Sequence, residues 1–198
     1  GWLPPDSPKW FASFVKQAVT DLADLCTTWC TLNEPNVYAS HSYFLGKWPP
    51  GMTDLNAYFR VLKRLLQAHA AAYSIIHDLQ PQAQVGLAKH MALWRPASGS
   101  PLDGMTTRLV DRAFNGVTLD ALETGAWRAP VGRNERLDQC RHTLDWIGLN
   151  YYARYDVSFS LRALRQLGLT YGVRPGAEPG PGSWGELYAP GIEESLCR

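Results

Sequence analysis

The residue best placed to do chemistry is a glutamate in the run Thr31-Leu32-Asn33-Glu34-Pro35-Asn36. Residues 27–33 read as a strand, and the proline directly after Glu34 breaks it. A glutamate there stands at the carboxyl edge of a sheet, where the active sites of parallel α/β folds gather. The proline restricts Glu34 to extended backbone, which fixes the aim of its carboxylate. Asn33 beside it can both donate to and accept from a hydroxyl group. A carboxylate presented in this way can give or take a proton. The same residues also suit a strand end whose glutamate caps the next helix or faces water.

A second constellation is Asp145-Trp146-Ile147-Gly148-Leu149-Asn150-Tyr151-Tyr152, an apolar strand with polar residues at its end. Asn150 and Tyr152 fall two apart, hence on one side of a strand. A phenol at that edge can donate to a carboxylate and keep it ionised; a buried structural tyrosine is the alternative. His69 lies on an apolar helical stripe and reads as a core histidine. Lys89 and His90 straddle a strand end, so one of them faces the inner side of the sheet. Trp94 could line the outer part of a pocket, and Trp48 and Trp127 lie in loops. No histidine and carboxylate cluster has metal spacing, and no Gly-rich loop follows a strand, so neither a metal nor another cofactor is expected.

The elements that must position these residues alternate. Apolar residues at Phe11, Phe14, Val15, Ala18, Leu22 and Leu25, after Asp6-Ser7-Pro8, give a helix. A long helix is predicted from about Asp54 to Leu79, a strand over 84–91, a helix over 105–114 and a third strand over 145–152. The Gly/Pro-rich stretch 174–183 is loop. Strands separated by helices argue a parallel sheet. Glu34, His90 and Asn150 are roughly sixty residues apart, against roughly 30 per unit in a plain eight-fold barrel. Three strands cannot close a barrel, so the chain is either a small open sheet with long insertions or, as preferred, an incomplete barrel, with residues 1–198 forming a single domain.

Composition excludes little else. The net charge is +1 over 198 residues, which gives no field for nucleic acid or an anionic membrane. The longest apolar run is too short to cross a bilayer. Eight Trp and nine Tyr exceed what such a core needs, and flat rings suit sugars as well as cores. Cys26, Cys30, Cys140 and Cys197 form no CxxC pair and are read as free, buried thiols. No segment encodes a compartment, the cytoplasm being the default, and the oligomeric state is not encoded either.

Taken together, Asn33-Glu34-Pro35 after one strand, Gly148-Leu149-Asn150-Tyr151-Tyr152 after a later one, and Gln67-Ala68-His69-Ala70 in the helix between resemble glycoside hydrolase family 1. Gly1-Trp2-Leu3 resembles that family's segment after its third strand, and Trp184-Gly185-Glu186-Leu187-Tyr188-Ala189-Pro190-Gly191 the stretch before its seventh. The resemblance implies a partial TIM (β/α)8 barrel, incomplete at both ends, and a retaining β-glycosidase acting on β-glucosides or related β-linked sugars. It makes Glu34 the acid/base, Asn33 the holder of the sugar's 2-hydroxyl, Tyr152 the phenol that orients the nucleophile, and Asn150 a further pocket residue.

The departures are specific. The family's Thr-Glu-Asn-Gly strand, which carries the nucleophile, has no counterpart here. Glu123, Glu135, Glu186, Glu193 and Glu194 sit in helix or loop contexts and offer no substitute. Asn36 stands where many members carry Trp. The chain alone is therefore expected to be inactive. The alternative is a non-catalytic, sugar-binding or interaction remnant of the same fold. A family 5-like cellulase would explain Asn-Glu-Pro but not Asn-Tyr-Tyr.

Overall fold

The computed structural model describes residues 1–166, 168–180 and 184–197. In chain order the elements are α1 (Ser7–Leu22), β1 (Thr28–Asn33), α2 (Pro35–Ala39), α3 (Leu55–Leu79), β2 (Gln84–His90), β3 (Leu93–Pro96), α4 (Pro101–Asp111) and α5 (Val117–Thr124). Then follow β4 (Ala126–Trp127), β5 (Glu135–Arg136), β6 (Trp146–Asn150), β7 (Arg154–Phe159), β8 (Leu169–Gly172) and α6 (Gly191–Leu196). They form two compact units, one of Gly1–Lys89 with Val117–Gly148, the other of His90–Gly116 with Leu149–Arg198.

The first unit is a parallel sheet in the order β1-β2-β6, backed by α1 and α3. Val85 on β2 packs with Val15 and Val19 of α1 and with Ala72 and Ile76 of α3. This assigns the two faces of β2: Val85 and Leu87 turn toward the helices, Gly86 and Ala88 away from them. By the same alternation Lys89, fully buried, lies on the helix side and His90 on the other. The expected stripe of α3 is real: Tyr58, Phe59, Leu62, Leu65, Leu66, His69 and Ile76 are all buried. Asp54 caps it by accepting from the Asn56 and Ala57 amides at 2.8 and 3.2 Å. On α1 the buried apolar positions are Val15 and Val19; Phe14 is 65% exposed, and Leu25 lies beyond the helix end. At the start of α1 the Asp6 side chain makes no capping hydrogen bond.

One side chain clasps three elements of this unit. His69 Nε2 lies 2.7 Å from the Thr143 carbonyl, which can only accept, so Nε2 carries the proton. That leaves Nδ1 to accept from the Thr31 hydroxyl at 2.6 Å, tying α3 to β1. His69 is thus the core histidine expected from its place on the stripe.

The second unit holds structure beyond the expected helix and loop. Its sheet runs β3-β7-β8, β3 parallel and β8 antiparallel to β7. Ala92, Trp94, Val157 and Leu169 form its core. The short strands escape sequence reading because their apolar residues come from three separate stretches of four to six residues. Helix α4 starts at Pro101, not Met105, because the Ser100 hydroxyl caps it at the Leu102 amide (3.3 Å). Its first turn exposes Leu102 and Met105, so periodicity there is faint. The thiols are free among the described residues, but only Cys140 is buried; Cys30 and Cys197 are exposed. Cys30 faces away from the helix layer on a strand flanking the sheet, which explains its exposure.

Two predictions follow from the packing of the first unit. A Cβ on Gly86 would collide with the backbone carbonyl and indole of Trp146, so Gly86→Ala should lower the urea midpoint by an amount equivalent to about 2 kcal/mol or more. Burial pushes His69 down to about 4 from its ordinary 6.5. The unfolded chain therefore takes up a proton near pH 6.5 that the folded chain refuses. The clasp's contribution is complete above pH 6.5 and drains as pH falls toward 4, by about 3 kcal/mol in all. Chemical denaturation across this window should show a steeper acid loss for wild type than for His69→Phe. Parallel curves would contradict the assignment.

Candidate active site

A single extra residue sets the aim of Asn33. Along β1 and β2 the partners are Thr28 with Gln84, Trp29 with Val85 and Cys30 with Gly86, but then Asn33 with Ala88. Three steps on β1 thus match two on β2, a bulge at Thr31-Leu32. Without it Asn33 would pair with Lys89 and face the helices. With it Asn33 pairs with Ala88 and turns to the face opposite the helices, where it is exposed. Bulges commonly re-aim side chains beside active sites. Neither a glycine nor a polar break in the sequence announces this one.

Glu34 departs from expectation in an informative way. Its backbone is not extended but left-handed, with φ 48° and ψ 57°. Proline at the next position disfavours the right-handed helical region, which leaves more than one alternative, and the chain takes the costlier one. The reason is topological: β1 ends at Asn33 and α2 begins at Pro35, so Glu34 alone makes the whole strand-to-helix reversal. Both of its peptide groups are fixed. Its N–H donates to the Ala88 carbonyl at 2.7 Å, and its carbonyl accepts from the Val37 and Tyr38 amides at 3.0 Å each. The Glu34 side chain makes no capping bond to α2. A non-glycine residue held left-handed by its surroundings is the kind of strain found at functional sites.

Beyond α2 the helix widens into a π-helical stretch, Ser40–Phe44, a feature often seen at functional positions. It carries His41, whose ring lies on Trp48 with centroids 4.6 Å apart. Burial and the neighbouring Lys47 push His41 below its ordinary value, against the opposite pull of the Val37 carbonyl and of Glu34. Sequence reading missed His41, because a histidine on a short polar helix carries no pattern. Asn36 is fully buried rather than displayed.

The other two predicted residues belong to the second unit from Leu149 onward. Asn150 is the last residue of β6, and its carbonyl accepts from the Met91 amide at 3.0 Å. Tyr152 lies beyond the strand, so period-two spacing does not set its direction. Packing sets it instead: its ring meets His90 edge-on at 5.0 Å and Trp184 at 5.5 Å, and it stays 40% exposed. Trp184 is placed by the segment that follows it. Arg154 and Glu186 exchange two backbone hydrogen bonds and a bidentate ion pair, 2.7 and 2.9 Å, buried on both sides. The Arg154 guanidinium holds the Glu186 carboxyl below the usual carboxylate range. Tyr151 turns the other way and donates to the Tyr188 carbonyl at 2.7 Å.

The remaining candidates resolve into scaffold. Trp94 is buried and stacked on Tyr155 at 5.0 Å, within the core of the second unit. Trp127 is buried in β4 against Phe59. Glu135 lies in the short strand β5, not a loop, and pairs with Lys63 at 3.0 Å. Glu194 pairs with Arg95 and receives the Tyr188 hydroxyl. Among the described residues no group of His, Cys, Asp and Glu could hold a metal ion, and no helix is long and apolar enough to cross a membrane.

Comparison with known proteins places this geometry. Residues 1–160 match the sequence model of Glycosyl hydrolase family 1. The chain is 28% identical over 171 residues to Beta-glucosidase A of Thermotoga maritima, covering 80% of this chain and 38% of that protein. It is 30% identical over 156 residues to a Beta-galactosidase of Sulfolobus acidocaldarius, covering 78% and 31%. Its structure superposes on a beta-glycosidase from Pyrococcus horikoshii with TM-score 0.86 at 27% identity, over 100% of this chain and 45% of the other. A Thermotoga maritima beta-glucosidase in complex with glucoimidazole gives 0.85 at 25% identity, over 100% and 46%. The chain thus spans less than half the length of these relatives. Its sheet and helices are part of an α/β barrel that does not close among the described residues. The chain belongs to glycosyl hydrolase family 1.

Proposed function

We propose that the protein carrying this chain is a retaining β-glycosidase of the β-glucosidase type, with Glu34 as its acid/base. The observation that carries the reading is the backbone of Glu34: a left-handed residue, bonded through both peptide groups, that by itself makes the entire turn from strand to helix. In support, several relatives are named beta-glucosidases, and solved neighbours are complexes with glucoimidazole and deoxynojirimycin. What those proteins bind points to a β-linked glucoside or a related sugar as substrate.

In this reaction the glycosidic oxygen takes the proton of Glu34 as its bond to the anomeric carbon breaks. A second carboxylate, about 5 Å away in retaining enzymes, bonds to that carbon from the opposite face. Glu34, now ionised, removes a proton from water, which attacks the same carbon and releases the second carboxylate. Asn33 holds the sugar's 2-hydroxyl, Asn150 is a further pocket contact, and the Tyr152 phenol donates to the second carboxylate and turns it. That nucleophile is assigned to a Thr-Glu-Asn-Gly strand encoded outside these 198 residues. The chain by itself is then a sugar-binding half of the machinery.

Two outcomes test this. The 198-residue chain should release no nitrophenol from a nitrophenyl β-glucoside; turnover by the purified chain would show that a carboxylate within it serves as nucleophile. In the complete protein, Glu34→Gln should slow cleavage of alkyl or disaccharide substrates by about 100-fold or more. It should slow glycoside-bond cleavage of a dinitrophenyl glucoside far less, because that leaving group needs no proton. Equal losses would remove Glu34 from the acid role.

A further inference from the structure

Two residues of β1, Thr31 and Leu32, stand against the single residue of β2 between Gly86 and Ala88. A strand can slip at such a point, because the extra residue lacks a ladder partner and one step of slip turns every later side chain over. Here one step would return Asn33 to Lys89 and to the helix side. Whatever holds the bulge in place therefore governs where Asn33 points.

Thr31 carries the polar side chain of the bulge. Its hydroxyl oxygen lies 2.6 Å from His69 Nδ1 and 3.2 Å from the Gly86 carbonyl of β2. His69 Nε2 donates to the Thr143 carbonyl at 2.7 Å, so Nδ1 is an acceptor and takes the hydroxyl proton. The ring cannot follow a moving strand without leaving Thr143. His69 is fully buried on α3, and the Thr143 hydroxyl is itself tied to the Cys140 carbonyl at 2.8 Å. Thr31 is thus held to the helix side by a group that belongs to neither strand. Two residues on, Asn33 emerges on the opposite face, level with Ala88, and the Glu34 N–H reaches the Ala88 carbonyl.

We propose that Thr31 is a positioning residue of the active site: anchored by His69, it fixes the place of the bulge and through it the aim of Asn33. This role presupposes Asn33 as the holder of the sugar's 2-hydroxyl. Hydrogen bonds to that hydroxyl strengthen in the transition state, so play in Asn33 is felt in the rate. A side chain held by such a supporting contact loses its precision when the contact goes, even where the fold survives. The signature is specific. Loss of the Thr31 hydroxyl matters for substrates that carry a 2-hydroxyl and hardly at all for those that lack it.

The test compares kcat/KM of the complete protein on a nitrophenyl β-glucoside and on its 2-deoxy counterpart. Thr31→Val keeps the shape of the side chain and removes the hydroxyl. It should lower the glucoside value by about tenfold and the 2-deoxy value by less than about twofold. Thr31→Ser, which keeps the hydroxyl, should restore the glucoside value. Added to Asn33→Ala, Thr31→Val should cost little more, because the two act on one contact. If Asn33→Ala spares the 2-deoxy substrate but Thr31→Val slows both substrates alike, Asn33 keeps its role and the positioning role of Thr31 is overturned. Fully additive losses in the double variant overturn it too. If Asn33→Ala itself slows both substrates alike, the reading of Asn33 fails and the role of Thr31 falls with it.

Discussion

One peptide unit constrains the rest of this structure. Between the last residue of β1 and the first of α2 there is only Glu34, and the chain must turn there from strand to helix. Right-handed geometry is disfavoured by the proline that follows, so the turn is made left-handed, at a cost of roughly 1–2 kcal/mol for a residue with a side chain. Three backbone hydrogen bonds hold it: one to β2 behind and two from α2 ahead. A loop of several residues would have been cheaper to build and would have left the carboxylate free to wander. The conformation therefore makes sense as a device for fixing a direction.

The surrounding architecture supports that turn. The bulge at Thr31-Leu32 moves Asn33 from the helix face to the opposite one, next to Glu34 in sequence. Within the bulge, the Thr31 hydroxyl is held by His69 of the long helix, which also grips the Thr143 carbonyl. The irregular stretch of β1 is thus anchored from below by a buried, neutral imidazole and from beside by β2. In the second unit the same logic recurs with different chemistry. The Arg154–Glu186 ion pair fixes the segment after Trp184, and Trp184 and His90 flank Tyr152. Charged pairs buried on both sides are weak evidence for stability, but they specify position well.

Much of the long-range order was legible because it is written in periodicity. The 3.6-residue stripe of α3 and the strand–helix alternation led directly to a parallel sheet, and α3 runs over Leu55–Leu79, within one residue of the predicted start at about Asp54. The bulge and the left-handed turn were not legible. Both depend on pairing between β1 and β2, strands far apart in sequence, and neither Thr31-Leu32 nor Glu34 is a residue type that favours such geometry. The β3-β7-β8 sheet was missed because its strands run four to six residues and their core positions become apolar clusters only when paired. Trp94 misled for the opposite reason: an indole past a strand end suggests a pocket, but here it is needed to fill that small core.

The central claim, that Glu34 serves as acid/base rather than as nucleophile or scaffold, is tested most directly by chemical rescue. Glu34→Ala in the complete protein, turning over a dinitrophenyl β-glucoside in the presence of azide, removes the base and leaves room for an external anion. The account predicts that azide accelerates turnover and that the product is the β-glucosyl azide, because azide attacks the glycosyl-enzyme where water would have. An α-glucosyl azide would make Glu34 the nucleophile, and no acceleration at all would return it to the scaffold.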